Sequence, residues 1–280
     1  MIKYKVIPNY INQKECENLI NDAENILNKF GNRQILSNKR ELVQSSSLEF
    51  REILKKSKSW IDLHNKISSQ DFLNECLKIL NVNFSNLELT NFFSPKNKSQ
   101  HYEDFKKLLT KKVSHISVAS LVKILIYKIY RSFIRILKFS FTSRYFVELL
   151  YDFSKAQNGY KREIHRDSDS RTLVFLLYLN NLSSNALGGE LNLYEYGKHE
   201  AKIPSFPNIE NCKVIESIKP KEGTLVIFLN TSDSFHSVTE MSGHSDYRYF
   251  LYGSYTLLGK KNPFIKNNLD KLKTEFYLFD

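Results

Sequence analysis

Three short segments in the second half of the chain carry side chains that suit a metal ion and an organic anion. His165-Arg166-Asp167 sets an imidazole and a carboxylate two residues apart. In an extended chain residues i and i+2 point to one side, so both groups can converge on one ion. His236 interrupts Ser234-Phe235-His236-Ser237-Val238, a run that reads as a strand soon after the apolar segment 223–228. Two imidazoles and one carboxylate make the facial set that suits non-haem Fe(II), because it leaves three adjacent coordination positions open. Arg248 lies twelve residues beyond His236, in Tyr247-Arg248-Tyr249-Phe250-Leu251-Tyr252-Gly253. A guanidinium among such neighbours is costly to bury unless it meets an anion, and its planar fork matches a carboxylate through two parallel hydrogen bonds. Each segment also has a plain structural reading: a surface pair, an interior strand histidine, an arginine facing solvent at a strand end. Arg162, Arg166 and Arg171 around the H-x-D read as solvated, with an anionic substrate as the alternative.

The elements that must position these groups follow from periodicity. Residues 2–7 alternate like an edge strand, and residues 12–30 place Leu19, Ile20, Ala23, Ile26, Leu27 and Phe30 at helical spacing behind Asn12 as N-cap and Glu15 three positions on. Residues 47–81 read as mainly helical, and 94–100, with Pro95 and Asn97, as a loop. After about residue 148 the texture changes to short β-branched and aromatic runs. Strands are expected near 171–180, 188–194, 213–218, 223–229, 234–239 and 247–257, with turns at Gly188-Gly189, at 220–223 and at Ser242-Gly243. Helices thus precede a β sandwich or barrel, and the expectation is one domain. Residues 1–104 supply an N-terminal strand and helices, 105–147 a basic helical insert, 148–260 the β core and 261–280 a tail.

The order and context of these motifs resemble the 2-oxoglutarate/Fe(II)-dependent dioxygenases, particularly their prolyl 4-hydroxylase-like branch. The resemblance rests on His165-Arg166-Asp167, Tyr178-Leu179-Asn180, Gly188-Gly189-Glu190-Leu191, the Pro/Gly turn and apolar strand of 220–228, His236, Arg248 and Leu251-Tyr252-Gly253-Ser254-Tyr255, and covers roughly residues 148–258. It implies a mainly β fold, a double-stranded β-helix or jelly-roll, with the N-terminal helices packed on it. It implies iron(II) on His165, Asp167 and His236, 2-oxoglutarate as co-substrate on Arg248 with help from Tyr178, O2 as oxidant, and ascorbate in a supporting role. The implied reaction releases succinate and carbon dioxide and hydroxylates a carbon. Asp167 stands where a halide would need an open position, which favours hydroxylation over halogenation. The expected tyrosine about ten residues before the H-x-D has no clear match, since position 155 is Lys, with Tyr151 and Tyr160 as imperfect candidates. The substrate stays open among a peptidyl proline, an amino acid, a sugar and a lipid. Two rival classes are a non-catalytic jelly-roll binding module and a cupin-like metalloprotein that needs no 2-oxoglutarate.

The formal net charge of +11 is concentrated. From 105 to 147 there is no Asp or Glu, while Lys106, Lys107, Lys111, Lys112, Lys123, Lys128, Arg131, Arg135, Lys138 and Arg144 contribute ten positive charges. Within 121–138, Lys128, Arg131, Arg135 and Lys138 share one helix face, opposite Val122, Leu125, Ile126, Ile129, Phe133 and Ile136. The simplest expectation is a helix packed on the barrel with its basic face in water. Peripheral contact with an anionic membrane comes next, and nucleic acid last, because the basic residues are confined to one insert. Cys16, Cys76 and Cys212 are far apart and lack C-x-x-C spacing, so a reducing, cytoplasmic setting is expected. No apolar stretch is long enough to span a bilayer.

Overall fold

Arg171–Tyr178 is a strand buried along nearly its whole length, and such a strand needs cover on both faces. The computed structural model describes residues 2–30, 33–36, 38–84, 86–90, 129, 133, 137–197, 204–243 and 246–265. Within it the chain runs β1 (Tyr4–Ile7), α1 (Gln13–Phe30), β2 (Gln34–Leu36), β3 (Arg40–Gln44), α2 (Leu48–Lys56), α3 (Lys58–Ile67), α4 (Gln70–Ile79), β4 (Leu87–Leu89), β5 (Tyr145–Ala156), β6 (Arg162–His165), β7 (Arg171–Tyr178), β8 (Leu191–Tyr196), β9 (Cys212–Ile218), β10 (Leu225–Leu229), β11 (Phe235–Val238) and β12 (Arg248–Leu258).

The strands form two sheets. The larger has the order β1-β10-β7-β12-β5-β3-β2, with β4 pairing parallel to the start of β5, and the smaller has the order β6-β11-β8-β9. Alternation sorts the larger sheet's side chains. Leu173, Phe175 and Leu177 of β7 and Leu225 and Ile227 of β10 join the helices in one apolar cluster. Val174, Leu176, Tyr178, Val226 and Phe228 point the other way and pack with Leu191, Leu193 and Val238 of the smaller sheet. The chain is therefore layered as helices, large sheet and small sheet, the jelly-roll arrangement expected, and the site lies between the two sheets.

The helices dock through a repeated device. Ser47, Ser57 and Ser69 cap α2, α3 and α4, each hydroxyl accepting from the backbone N–H three residues on, at Phe50, Trp60 and Phe72. Such a cap contributes about 1 kcal/mol. It also sets an aromatic side chain on the first turn, facing the sheet. Phe50 meets Tyr151 at 5.2 Å, Trp60 meets Phe153 at 5.4 Å and Phe72 meets Phe175 at 6.2 Å. Trp60 is fully buried, and its indole N–H donates to the Leu19 carbonyl at 2.8 Å, tying α3 to α1. The α1 capping box is present in both directions, Asn12 N–H to Glu15 at 2.8 Å and Glu15 N–H to Asn12 at 2.9 Å.

The strand expectations after residue 171 agree with the structure to within a few residues. Five strands were not anticipated: β2, β3, β4, β6 and the long β5, which starts at Tyr145 inside the segment read as insert. Charged residues in β5, Glu148, Asp152 and Lys155, obscure its period, and its short partners are recruited from far along the chain. Of the expected helix 121–138, residues 129, 133, 137 and 138 are described and helical, and the rest lies outside the described residues, as do 105–120 and 266–280. Phe139 is buried against Phe146, and the Ser140 hydroxyl donates to the Gly259 carbonyl at 2.7 Å, so the end of this helix is held on the sheet. The expectation of an apolar face packed on the barrel is not met at the described positions: Ile129, Phe133 and Leu137 are 58%, 57% and 53% exposed.

Candidate active site

Strand pairing brings the two histidines together. His165 at the end of β6 lies directly opposite His236 in β11, with ring centroids 4.3 Å apart. Each Nδ1 is bonded to the carbonyl two residues earlier, Glu163 O at 2.8 Å for His165 and Ser234 O at 3.1 Å for His236. A carbonyl only accepts, so both Nδ1 atoms carry the proton and both Nε2 atoms present a lone pair. Burial disfavours the imidazolium, and for His165 the neighbouring His236 adds to this. The His165 pKa is pushed down to about 3, and that of His236 is also lowered. Both rings are neutral near pH 7, as metal ligation requires.

Asp167, two residues past His165, completes the set: one nitrogen or oxygen from each of the three side chains lies within 4.8 Å of the others, and all three residues are buried. Its Oδ2 is 3.8 Å from His236 Nε2. Its Oδ1 accepts from Arg171 at 2.6 Å and from the Tyr252 hydroxyl at 2.8 Å. Burial alone would raise its pKa, but the two histidines, Arg171 and Tyr252 outweigh that and hold it below the usual carboxylate range. Asn230 fastens the loops that carry the ligands. Its amide donates to the carbonyls of Ser168 and Arg171, and its oxygen accepts from the Ser234 hydroxyl.

Deeper between the sheets, Arg248 is 1% exposed, with one nitrogen donating to the Gly189 carbonyl at 2.5 Å. Its guanidinium lies over the rings of Tyr178 at 4.7 Å and Phe250 at 5.1 Å. Its Nε and its other terminal nitrogen, together with the Tyr178 hydroxyl, are buried without a hydrogen-bond partner. Unpaired buried donors on a cation cost several kcal/mol, about 2–5, and here they converge where a carboxylate would satisfy them. The Gly-Gly and Tyr-Leu-Asn motifs have a physical role in this. A Cβ on Gly189 would meet an Arg248 nitrogen at 3.2 Å, and one on Gly188, at φ +77°, would meet the Glu240 carbonyl at 1.8 Å. Asn180 donates to Tyr247 O at 2.8 Å and accepts from Tyr249 N–H at 2.7 Å, stapling β7 to β12 on either side of Arg248.

Of the three arginines expected to be solvated, Arg166 and Arg171 are not. Arg171 pairs with Asp167, and Arg166 is buried and pairs with Asp169. Arg162 is exposed, with its Nε 3.5 Å from His165 Nε2. Of the two candidate tyrosines, Tyr151 faces the helices, bonded to His64 at 2.7 Å. Tyr160 packs on Phe250 between the sheets at 6.1 Å. Sequence reasoning missed Arg40 of β3, which is paired with Asp152 and Ser154 and lies over Phe250 and Tyr252. It also missed Tyr252, whose only signal was an inward register with Arg248 and Phe250 on β12. On the outer rim Phe206 is 70% exposed and lies near-parallel to His165, with ring centroids 6.3 Å apart.

Residues 151–255 match the family model described as the 2OG-Fe(II) oxygenase superfamily. That span contains all three candidate ligands, Tyr178 and Arg248. Among solved structures the chain is similar to a prolyl-4-hydroxylase from Pseudomonas putida, at 11% identity over 91% of this chain and 93% of that one, with a TM-score of 0.46. It is similar to the viral collagen prolyl hydroxylase of Paramecium Bursaria Chlorella virus-1 at 15% identity over 91% and 95%, TM-score 0.42. The carbocyclase SnoK from nogalamycin biosynthesis matches at 12% identity over 97% and 87%, TM-score 0.48. The class that the matched core and the site define is a 2-oxoglutarate-dependent dioxygenase. Over residues 151–255 the chain is similar to the 2OG-Fe(II) oxygenase superfamily.

Proposed function

We propose that this enzyme hydroxylates a carbon of a small-molecule or peptidyl substrate, with iron(II) held by His165, Asp167 and His236 and the distal carboxylate of 2-oxoglutarate received by Arg248 and Tyr178. The single observation that carries the co-substrate reading is Arg248, a fully buried cation with two nitrogens unpaired beside an unpaired tyrosine hydroxyl. A cupin-like metalloprotein without 2-oxoglutarate leaves that cation unexplained, and a non-catalytic module leaves both it and the ligand set unexplained. When bound, iron(II) and 2-oxoglutarate would supply the electrons that activate O2, the 2-oxo acid being oxidised to succinate and carbon dioxide. The chain's own residues bind and orient. Arg248 fixes one end of the co-substrate, and Phe228 and Phe250 supply buried apolar surface beside it.

The protein would be mixed with Fe(II), ascorbate and 2-oxoglutarate. Without oxygen the expected result is a metal-to-ligand absorption band, and with oxygen it is succinate. Absence of both would overturn the reading.

We also propose that the basic insert rests on an anionic lipid surface. Ile129, Phe133 and Leu137 follow one another at one-turn spacing and are each more than half exposed, within a segment of ten cations and no acid. Apolar anchoring combined with basic charge suits a lipid interface. Among the described residues no helix is long and apolar enough to cross a membrane. Flotation with phosphatidylserine-containing vesicles, and its loss on Phe133→Asp with Leu137→Asp, is expected. Equal flotation of both proteins, or none of either, would remove the idea.

A further inference from the structure

Asp167 is held asymmetrically. Oδ1 takes the Arg171 nitrogen at 2.6 Å and the Tyr252 hydroxyl at 2.8 Å, whereas Oδ2 has only the more distant approach of the same hydroxyl, at 3.0 Å, and faces His236. The clamp is built from both sides. Arg171 lies over the Tyr252 ring at 5.3 Å and donates to its hydroxyl, leaving the phenol proton for Asp167. The Arg171 backbone is fixed as well, its carbonyl accepting from Asn230 at 3.0 Å and Asn262 at 2.6 Å. Neither side chain can swing away without breaking a network that spans β7, β12 and the two loops.

We propose that Arg171 and Tyr252 are positioning residues that hold Asp167 to a one-oxygen ligand and so keep open the coordination position that O2 requires. The inference rests on the oxygenase reading above. Two imidazoles and one carboxylate oxygen occupy three positions, and a chelating 2-oxo acid takes two of the three that remain. A carboxylate turned to bind through both oxygens would fill the last. Here that turn would pull Oδ1 away from a charge-assisted bond to Arg171 and a second bond to Tyr252, which together resist it. Metal affinity and openness to O2 then become separable properties: loosening the clamp should not weaken iron binding, yet should close the site.

The test uses nitric oxide as a probe of the open position. Wild type, Arg171→Gln and Tyr252→Phe would each be loaded anaerobically with Fe(II) and 2-oxoglutarate. Three things are then read: the iron dissociation constant by chelator competition, the absorption band, and the electron paramagnetic resonance signal per bound iron on adding nitric oxide. The expected result is iron affinity equal to wild type or tighter in both variants, with a smaller nitric oxide signal per bound iron. Weaker iron binding with an unchanged nitric oxide signal per iron would overturn the proposal, because the pair would then only support the ligand. If wild type itself shows no band with 2-oxoglutarate, the oxygenase reading has failed rather than the clamp. Should Arg171→Gln not fold, Tyr252→Phe loses a single hydroxyl and decides the matter by the same readout.

Discussion

Arg248 and Tyr178 touch face to cation, not donor to acceptor: the guanidinium carbon sits 4.7 Å from the ring centre while the Tyr178 hydroxyl and two Arg248 nitrogens stay unpaired. A carboxylate would satisfy these buried donors.

Arg248→Met therefore has opposite effects on stability and binding. Removing an unpaired buried charge should raise the thermal unfolding midpoint of the ligand-free protein. Losing the anchor should raise the 2-oxoglutarate requirement on the order of a hundredfold. Calorimetry with and without 2-oxoglutarate reads both, and a wild-type thermal shift in the variant would show that the anchor lies elsewhere, with Arg40 the next residue to test.

Tyr178→Phe should act on the same ligand more gently. One neutral hydrogen bond is worth about 1 kcal/mol, so the 2-oxoglutarate dissociation constant should rise roughly fivefold with iron affinity unchanged. No change in either would remove Tyr178 from the co-substrate site.

Asn180→Ala tests whether the anchor depends on its staple. Two bonds are lost, one to Tyr247 O just before β12 and one from Tyr249 N within it. A destabilisation of about 1–3 kcal/mol is expected, together with a weaker 2-oxoglutarate response, both measurable by denaturant titration in the presence and absence of the co-substrate. Loss of stability alone would confine Asn180 to holding the sheet.

Acid should destabilise the fold through His64. Burial lowers its pKa below the ordinary 6.5, in a bond to Tyr151 at 2.7 Å. The unfolded chain takes a proton that the folded one refuses, so this contribution is present above pH 6.5 and is lost as pH falls below it. His64→Phe should lose less stability than wild type between about pH 7.5 and about pH 5.5. Equal losses would place the acid sensitivity in other groups.

Gly253→Ala separates packing from chemistry. A Cβ there would lie 2.2 Å from Phe175 Cζ and 2.9 Å from the Tyr151 Cβ, on the helix side of β12. Overpacking of this kind costs about 1–3 kcal/mol. Urea unfolding should show that loss while iron affinity is retained, because the site lies on the opposite face.

How much was legible depended on whether a signal was local. The capping box at Asn12, the buried runs of β7 and β10 and the ordered motifs from His165 to Arg248 depend on neighbouring residues, and each is read from a window of a few positions. Strand β5 was hidden because its charged residues are compensated from afar, Asp152 by Arg40 more than a hundred positions earlier. The arginines around the H-x-D show the same limit. Arg162, Arg166 and Arg171 look alike in the chain, yet one is exposed, one pairs with Asp169 and one clamps Asp167.

By itself the sequence determined the candidate ligand types, their order and a run of strands after the helices, since these follow from residue chemistry and short-range periodicity, while the jelly-roll arrangement was implied only by the family resemblance. Only the tertiary structure decided which hydrogen bonds orient them. The Nδ1 partners of His165 and His236 are backbone carbonyls, the Asp167 partners are Arg171 and Tyr252, and the Arg248 guanidinium lies over the Tyr178 ring. Hydrogen bonds act over about 3 Å between groups distant in sequence, so they exist only once the two sheets have closed around the site.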